Sequence, residues 1–206
     1  NFIYKGPILE WYMRVKLRLE NNYVFFHNLV PRSGKILDLG CGYGFMPYML
    51  HFAANGRDIT GVDYDEQKIA TANHSFSKNE HIRFIHSDLL SFDFETYDCI
   101  IMSDVLHYLQ EDEQKKVVEK CIDSLHTGGI LIIRDGNKDL EKRHKGTKLT
   151  ELFSTRIFAF NKTSGKGLNF ISASLIKGIA SEKNVECVEM DNTKFTSNVV
   201  FIIKKG

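Results

Sequence analysis

The sequence predicts an α/β fold: a mostly parallel sheet with helices on both faces and an antiparallel hairpin strand at the C-terminal end. Three observations predict it. After Pro31, short apolar runs alternate with helical stretches, giving five strands in succession, and such alternation builds a parallel sheet buried on both sides. The first of these strands runs into three glycines at alternate positions, Gly40, Gly42 and Gly44, with a helix behind them. Two further apolar runs, 185–190 and 198–203, are joined by a short polar stretch, as in an antiparallel pair.

The elements follow in order. Residues 7–20 read as an amphipathic helix opened by Gly6 and Pro7, with Ile8, Tyr12, Val15 and Leu19 at helical spacing. A second short helix, 22–29, ends before Pro31. Strands are expected at 35–39, 58–62, 82–86, 97–102 and 130–134. Helices are expected at 45–53, 66–77 and 111–126. The last carries Glu111, Asp112 and Glu113 in its first turn, where the helix dipole favours acids, and Thr127-Gly128-Gly129 is read as its end. Residues 145–183 read as two helical pieces broken near Thr163-Ser164-Gly165. No linker divides the chain, so 1–206 is read as one domain.

Composition narrows the function. Of 206 residues, 43% are apolar and 26% charged, which excludes global disorder. No apolar run reaches the roughly 20 residues of a membrane span. The net charge of +1 argues against nucleic acid as a partner. The cysteines, Cys41, Cys99, Cys121 and Cys187, form no C-x-x-C pair and no metal-ligand spacing, so no metal is expected and a reducing compartment is. The first residue is Asn1, which fits a domain cut from a longer protein.

The chemistry concentrates at strand ends. In Ile36-Leu37-Asp38-Leu39-Gly40-Cys41-Gly42-Tyr43-Gly44 a strand turns sharply into a helix, and glycine allows backbone to turn and a ligand to approach. A dinucleotide pyrophosphate is served by G-x-G-x-x-G at a helix start. Here the spacing is G-x-G-x-G, with a carboxylate, Asp38, two residues before the first Gly. A carboxylate repels pyrophosphate and attracts an ammonium group, so the turn suits a ligand with an amino-acid end. Asp63 ends the second strand 19 residues after Gly44, where an acid accepts hydrogen bonds from ribose hydroxyls. Tyr64 is placed to lie on an adenine face, and Asp88 to accept from an adenine amino group.

With these residues in view, segment 35–135 resembles the class I S-adenosylmethionine-dependent methyltransferases. Stretches 36–44, 61–65, 84–89 and 97–109 match the family's first four motifs in order, and 125–134 its late Pro-Gly-Gly motif, with Thr127 for Pro. The resemblance implies a Rossmann-like, doubly wound sheet of seven strands and S-adenosyl-L-methionine as cofactor. It implies that Asp38 and the turn of Gly40, Cys41, Gly42 and Gly44 hold the methionine moiety. Asp63 then holds the ribose, Tyr64 contacts the nucleoside, Asp88 and Leu89 read the adenine, and Ser103 faces the sulfonium. Tyr4, Trp11 and Tyr12 are candidates to close over the cofactor by position alone. A narrower resemblance, through 5–12 and 133–140, is to methyltransferase domains fused behind a bacterial membrane transporter and an acyltransferase. It implies a lipid-like acceptor and a cytoplasmic location at the inner face of the membrane.

His107, Asp135 and His144 are the candidate bases, needed only where an acceptor must lose a proton. The aromatic segment 150–172 suits an apolar or aromatic acceptor, and equally a helix packed on the sheet. The fourth strand continues as Met102-Ser103-Asp104-Val105, without the Asn/Asp-Pro-Pro-Tyr of many amino-methylating members, which disfavours base or glutamine N-methylation and leaves oxygen, carbon or small-amine acceptors open, with oxygen or carbon in a small molecule favoured. The alternatives are a cofactor-binding module without chemistry and a dinucleotide oxidoreductase.

Overall fold

The structure is a computed structural model, and it describes residues 22–75, 78–140, 169–191 and 198–206. Seven strands form one sheet in the order β3-β2-β1-β4-β5-β7-β6. They are β1 (Ser33–Leu39), β2 (Gly56–Asp63), β3 (Ile82–His86), β4 (Tyr97–Ser103), β5 (Leu125–Gly136), β6 (Glu186–Met190) and β7 (Asn198–Lys204). The described helices are α1 (Asn22–Leu29), α2 (Phe45–Ala53), α3 (Glu66–Asn73), α4 (Glu111–Asp123) and α5 (Ala173–Glu182), with a 3-10 turn at Leu106–Tyr108. The chain divides into two compact units, Asn1–Ile100 and Ile101–Gly206.

In the first unit, β1, β2 and β3 pair in parallel, with Asp38 opposite Gly61 and Gly61 opposite Phe84. β1 enters exposed and is buried from Ile36 to Leu39, the continuous apolar run of a strand covered on both faces. Arg57 on β2 is 0% exposed and seats the helices. Its guanidinium donates to Pro31 O at 2.6 Å, Leu50 O at 2.6 Å and Val30 O at 2.8 Å. These are carbonyls at or beyond the C-terminal ends of α1 and α2, where backbone acceptors lack intrahelical donors. The remaining cost of the buried charge shows in a guanidinium pKa lowered by burial.

In the second unit β7 lies between β5 and β6, antiparallel to both, and is buried at five successive positions. The hairpin reading of the tail is thus correct. The edge strand β6 carries Glu189, paired with Lys177 at 2.6 Å, a charge that discourages further strand pairing. α4 buries Val117, Val118, Cys121 and Ile122, the face its periodicity predicts.

Its end differs from the reading above. The helix stops at Asp123, and Leu125 already belongs to β5. Thr127, Gly128 and Gly129 are strand residues, because the chain end continues past β7 alongside them. Gly128 N donates to Lys205 O at 2.8 Å, and Lys205 N to Gly129 O at 3.0 Å. The helix end is instead capped by the Lys205 ammonium on Asp123 O at 2.9 Å and Leu125 O at 2.8 Å. Of the helical stretch read at 145–183, 169–172 is extended, with Ile171 bridged to Asn137, and Ala173–Glu182 is helix. Residues 141–168 lie outside the described residues, as do 1–21 with the helix read at 7–20.

Candidate functional site

In the first unit the turn after β1 has Gly40, Gly42 and Gly44 at φ 78°, 55° and 76°, backbone that side chains disfavour. The glycines do different work. A Cβ on Gly44 would lie 2.4 Å from the Phe84 ring, and one on Gly61 2.8 Å from it. Both are therefore spaces that Phe84 fills. A Cβ on Gly42 would meet nothing within 4 Å. Cys41 packs its sulfur over Gly61, and burial pushes its thiol pKa up.

Four amides of the turn are committed. Gly40 N and Cys41 N donate to Val62 O at 2.8 and 3.0 Å, Gly44 N to Cys41 O at 3.0 Å, and Gly42 N to Asp63 Oδ2 at 2.8 Å. Asp65 N donates to Asp63 Oδ1 at 2.9 Å, so both oxygens of Asp63 are held by backbone. Asp65 itself caps α3, accepting from Gln67 N and Lys68 N. The sequence reading missed this support, although an Asp just before Glu66 and a helical run is a cap signal.

Asp38 is 3% exposed, and its Oδ2 has no hydrogen-bond partner among the described residues. Burial, and then the Asp63 carboxylate, push its pKa up to about 7. Tyr64 is 48% exposed beside Asp63, and burial followed by Asp63 raises its pKa. The end of β3 reaches this corner: Ser87 N donates to Asp63 O at 3.1 Å, and His86 Nε2 lies 2.9 Å from Tyr64 O. Asp88 is exposed and accepts from Leu90 N at 2.8 Å, while Leu89 is buried. The structure thus gathers Asp38, the glycine turn, Asp63, Tyr64 and the residues after β3 in one unit. Tyr12 lies outside the described residues, as do Tyr4, Trp11 and His144.

The second unit holds the other candidates. Asp135 is 0% exposed at the end of β5 and accepts from four donors. These are Leu106 N at 2.9 Å, His107 N at 3.3 Å, Gly136 N at 2.7 Å and His107 Nδ1 at 2.6 Å. The His107 ring is 2% exposed, 4.2 Å from the Tyr108 ring and 6.3 Å from that of Phe170. Ser103 donates to Asp104 Oδ2 at 3.2 Å. Asp104 adopts φ 57°, rare for a residue with a side chain, and its carboxylate pairs with Arg134 and accepts from Asn198 at 3.4 Å. The sequence reading missed this network; an Arg inside the apolar run 130–134 was its signal, because a buried guanidinium needs an acid.

Comparison with known proteins agrees with this geometry. The family model described as "Methyltransferase domain" matches residues 36–129. The chain is 29% identical over 109 residues to a carboxy-S-adenosyl-L-methionine synthase of Campylobacter fetus, covering 52% of this chain and 46% of that protein. It spans about half the length of the curated relatives it matches. Among solved structures, an O-methyltransferase family protein from Burkholderia thailandensis superimposes with a TM-score of 0.67 at 16% identity, over 93% of this chain and 57% of that one. The N-methyltransferase NodS from Bradyrhizobium japonicum, in complex with S-adenosyl-L-homocysteine, does so with a TM-score of 0.61 at 18% identity, over 91% and 90%.

Proposed function

We propose that this chain, as one domain over 1–206, is a class I S-adenosylmethionine-dependent methyltransferase that methylates a small, apolar or aromatic acceptor on oxygen or carbon. The observation that carries the cofactor reading is the contrast at the glycine turn. The amides of Gly40, Cys41, Gly42 and Gly44 are used inside the protein, which leaves fewer donors for a pyrophosphate. The free features of the turn are open space at Gly42 and an unpartnered carboxylate oxygen on Asp38. Those features favour a cationic amino end over a dinucleotide.

Bound S-adenosylmethionine supplies an electrophilic methyl group, and the protein supplies position and exclusion of water. Asp38 takes the amino end, Asp63 the ribose hydroxyls through its remaining lone pairs, and Tyr64, Asp88 and Leu89 the nucleoside. Ser103 faces the reacting end. For a hydroxyl acceptor, His107 is the candidate base. Asp135 at 2.6 Å from Nδ1 favours the tautomer protonated there, which leaves Nε2 as the basic nitrogen. Lipid-like acceptors belong to the same class, with the domain docked or fused on a membrane protein at the cytoplasmic face. Among the described residues no helix is long and apolar enough to cross a membrane itself.

The burial of His107 and Asp135 favours a second reading, in which the pair only braces the loop after β4 and the domain binds cofactor without chemistry. Two measurements separate the readings. Calorimetric titration is expected to give binding of S-adenosylmethionine and none of NAD; preference for NAD would overturn the cofactor assignment. Incubation with phenolic and lipid-like acceptors is then expected to form S-adenosylhomocysteine, and its absence with every acceptor would leave the binding module.

A further inference from the structure

The carboxylates at the ends of β1 and β2 are treated unequally. Asp63 receives a backbone donor on each oxygen, from Gly42 and Asp65. Asp38, in register with Gly61 on β2, has no donor on Oδ2 among the described residues. The titratable groups that face it are acids or neutral thiols: Asp63 from β2, Cys41 from the turn and Cys99 from β4. Two cations act on these thiols, Lys68 on Cys41 and Arg57 on Cys99. Lys68 on α3 lies 5.9 Å from the centre of the Tyr43 ring, and Arg57 is spent on backbone carbonyls. A buried carboxyl beside a second carboxylate, with one oxygen that no described donor reaches, is pushed toward keeping its proton.

We propose that Asp38 is a proton-coupled counter-ion, releasing a proton to solvent when the ammonium group of the cofactor's amino end binds beside it. The proposal rests on the cofactor reading above. One O–H bond at Asp38 breaks, the proton passes to buffer, and a carboxylate–ammonium pair takes its place, so the charge of the site is unchanged by binding. Because ligand selects the ionised carboxyl, affinity falls as pH falls through the value of about 7 at which Asp38 titrates in the free protein. The expected loss is about tenfold per pH unit below that point, as for any single linked proton. The ligand's own amine is about half deprotonated near pH 8, so the informative window is about pH 5.5–7.

The test is calorimetric titration of the purified chain with S-adenosylmethionine, at pH 6 and pH 7, in buffers of different ionisation enthalpy. Nearly one proton released at pH 6 and about half of one at pH 7 is expected. S-adenosylhomocysteine, with the same amino end, is expected to release the same number, and 5′-methylthioadenosine, which lacks that end, none. Asp38→Asn is expected to bind S-adenosylmethionine with no proton release. Binding by the wild type with one enthalpy in all buffers would overturn the proposal and leave the cofactor reading standing. Equal proton release with 5′-methylthioadenosine would overturn it too. Failure of the folded wild type to bind S-adenosylmethionine at any pH in the window would remove the cofactor reading itself. A readout without ligand is the stability of wild type and Asp38→Asn from pH 4 to 7. Parallel profiles would show that Asp38 holds no extra proton and would overturn the coupling directly.

Discussion

Two buried aspartates end strands in the two units, and they have opposite surroundings. Asp135 accepts from three backbone amides and an imidazole, and so fixes the turn after β4 to the end of β5. Asp38 is nearly as deeply buried, yet Oδ2 has no donor among the described residues, and Asp63 stands close enough to oppose its ionisation. A carboxylate with four donors is finished structure. One with a buried oxygen that no donor reaches destabilises the fold unless something else completes it, and residues of that kind concentrate where ligands bind. The contrast teaches that burial alone does not describe a buried acid; the donors that reach each of its oxygens must be counted as well.

The largest effect that would sharpen this contrast is expected from Asp135→Ala. It strips an imidazole and three buried amides of their acceptor, and should cost about 3–5 kcal/mol in denaturant unfolding. A loss under about 1 kcal/mol would show that the turn holds without it.

Asp38 should behave in the opposite sense. Its folded pKa, about 7, lies above the ordinary 3.8, so the native state binds the extra proton between those values. Stability from this group is therefore fully present below about pH 4 and is lost as pH rises through 7, roughly 4 kcal/mol in all at about 1.4 kcal/mol per pH unit. Asp38→Asn should remove that slope. A wild-type profile that rises with pH over the same range would break the comparison.

Asp63→Ala should weaken S-adenosylmethionine binding by about 1–3 kcal/mol, the range for a hydrogen bond to a charged group. Part of that loss would come through Gly42, whose amide it holds. Unchanged affinity would remove Asp63 from the site. Gly42→Val has open space around its new side chain, so the change to φ 55° should cost only about 1–2 kcal/mol of stability while ligand binding is lost. Retained binding would move the ligand off the turn. The smallest effect is expected at Asp88, where an exposed side chain accepts one bond from Leu90 N; Asp88→Ala should change thermal stability by about 0.5 kcal/mol or less.

The order of strands and helices was legible because each rests on local periodicity. Helix Phe45–Ala53 and strand Ile82–His86 fall where apolar spacing places them. The end of α4 was not legible. Gly128-Gly129 is a common helix terminator, and only the pairing of Gly128 and Gly129 with Lys205 turns it into strand. At the site, the glycine turn and the acids Asp38 and Asp63 were visible as residue types at strand ends. The division of labour among the glycines was not, since Gly44 is required by Phe84, a residue 40 positions away in sequence. Arg134 in an apolar run signals the need for an acid, but nothing near it in sequence identifies that acid as Asp104, 30 positions away.

By itself, then, the sequence determined the fold class, the strand-to-helix turn and the chemical types gathered at the strand ends. These depend on spacing within a few residues and on where backbone must adopt conformations that favour glycine. Only the tertiary structure decided how each acid is used. The donors that complete Asp63 and Asp135 include amides 21 and 29 residues away, and among the described residues long-range register delivers none to Asp38 Oδ2.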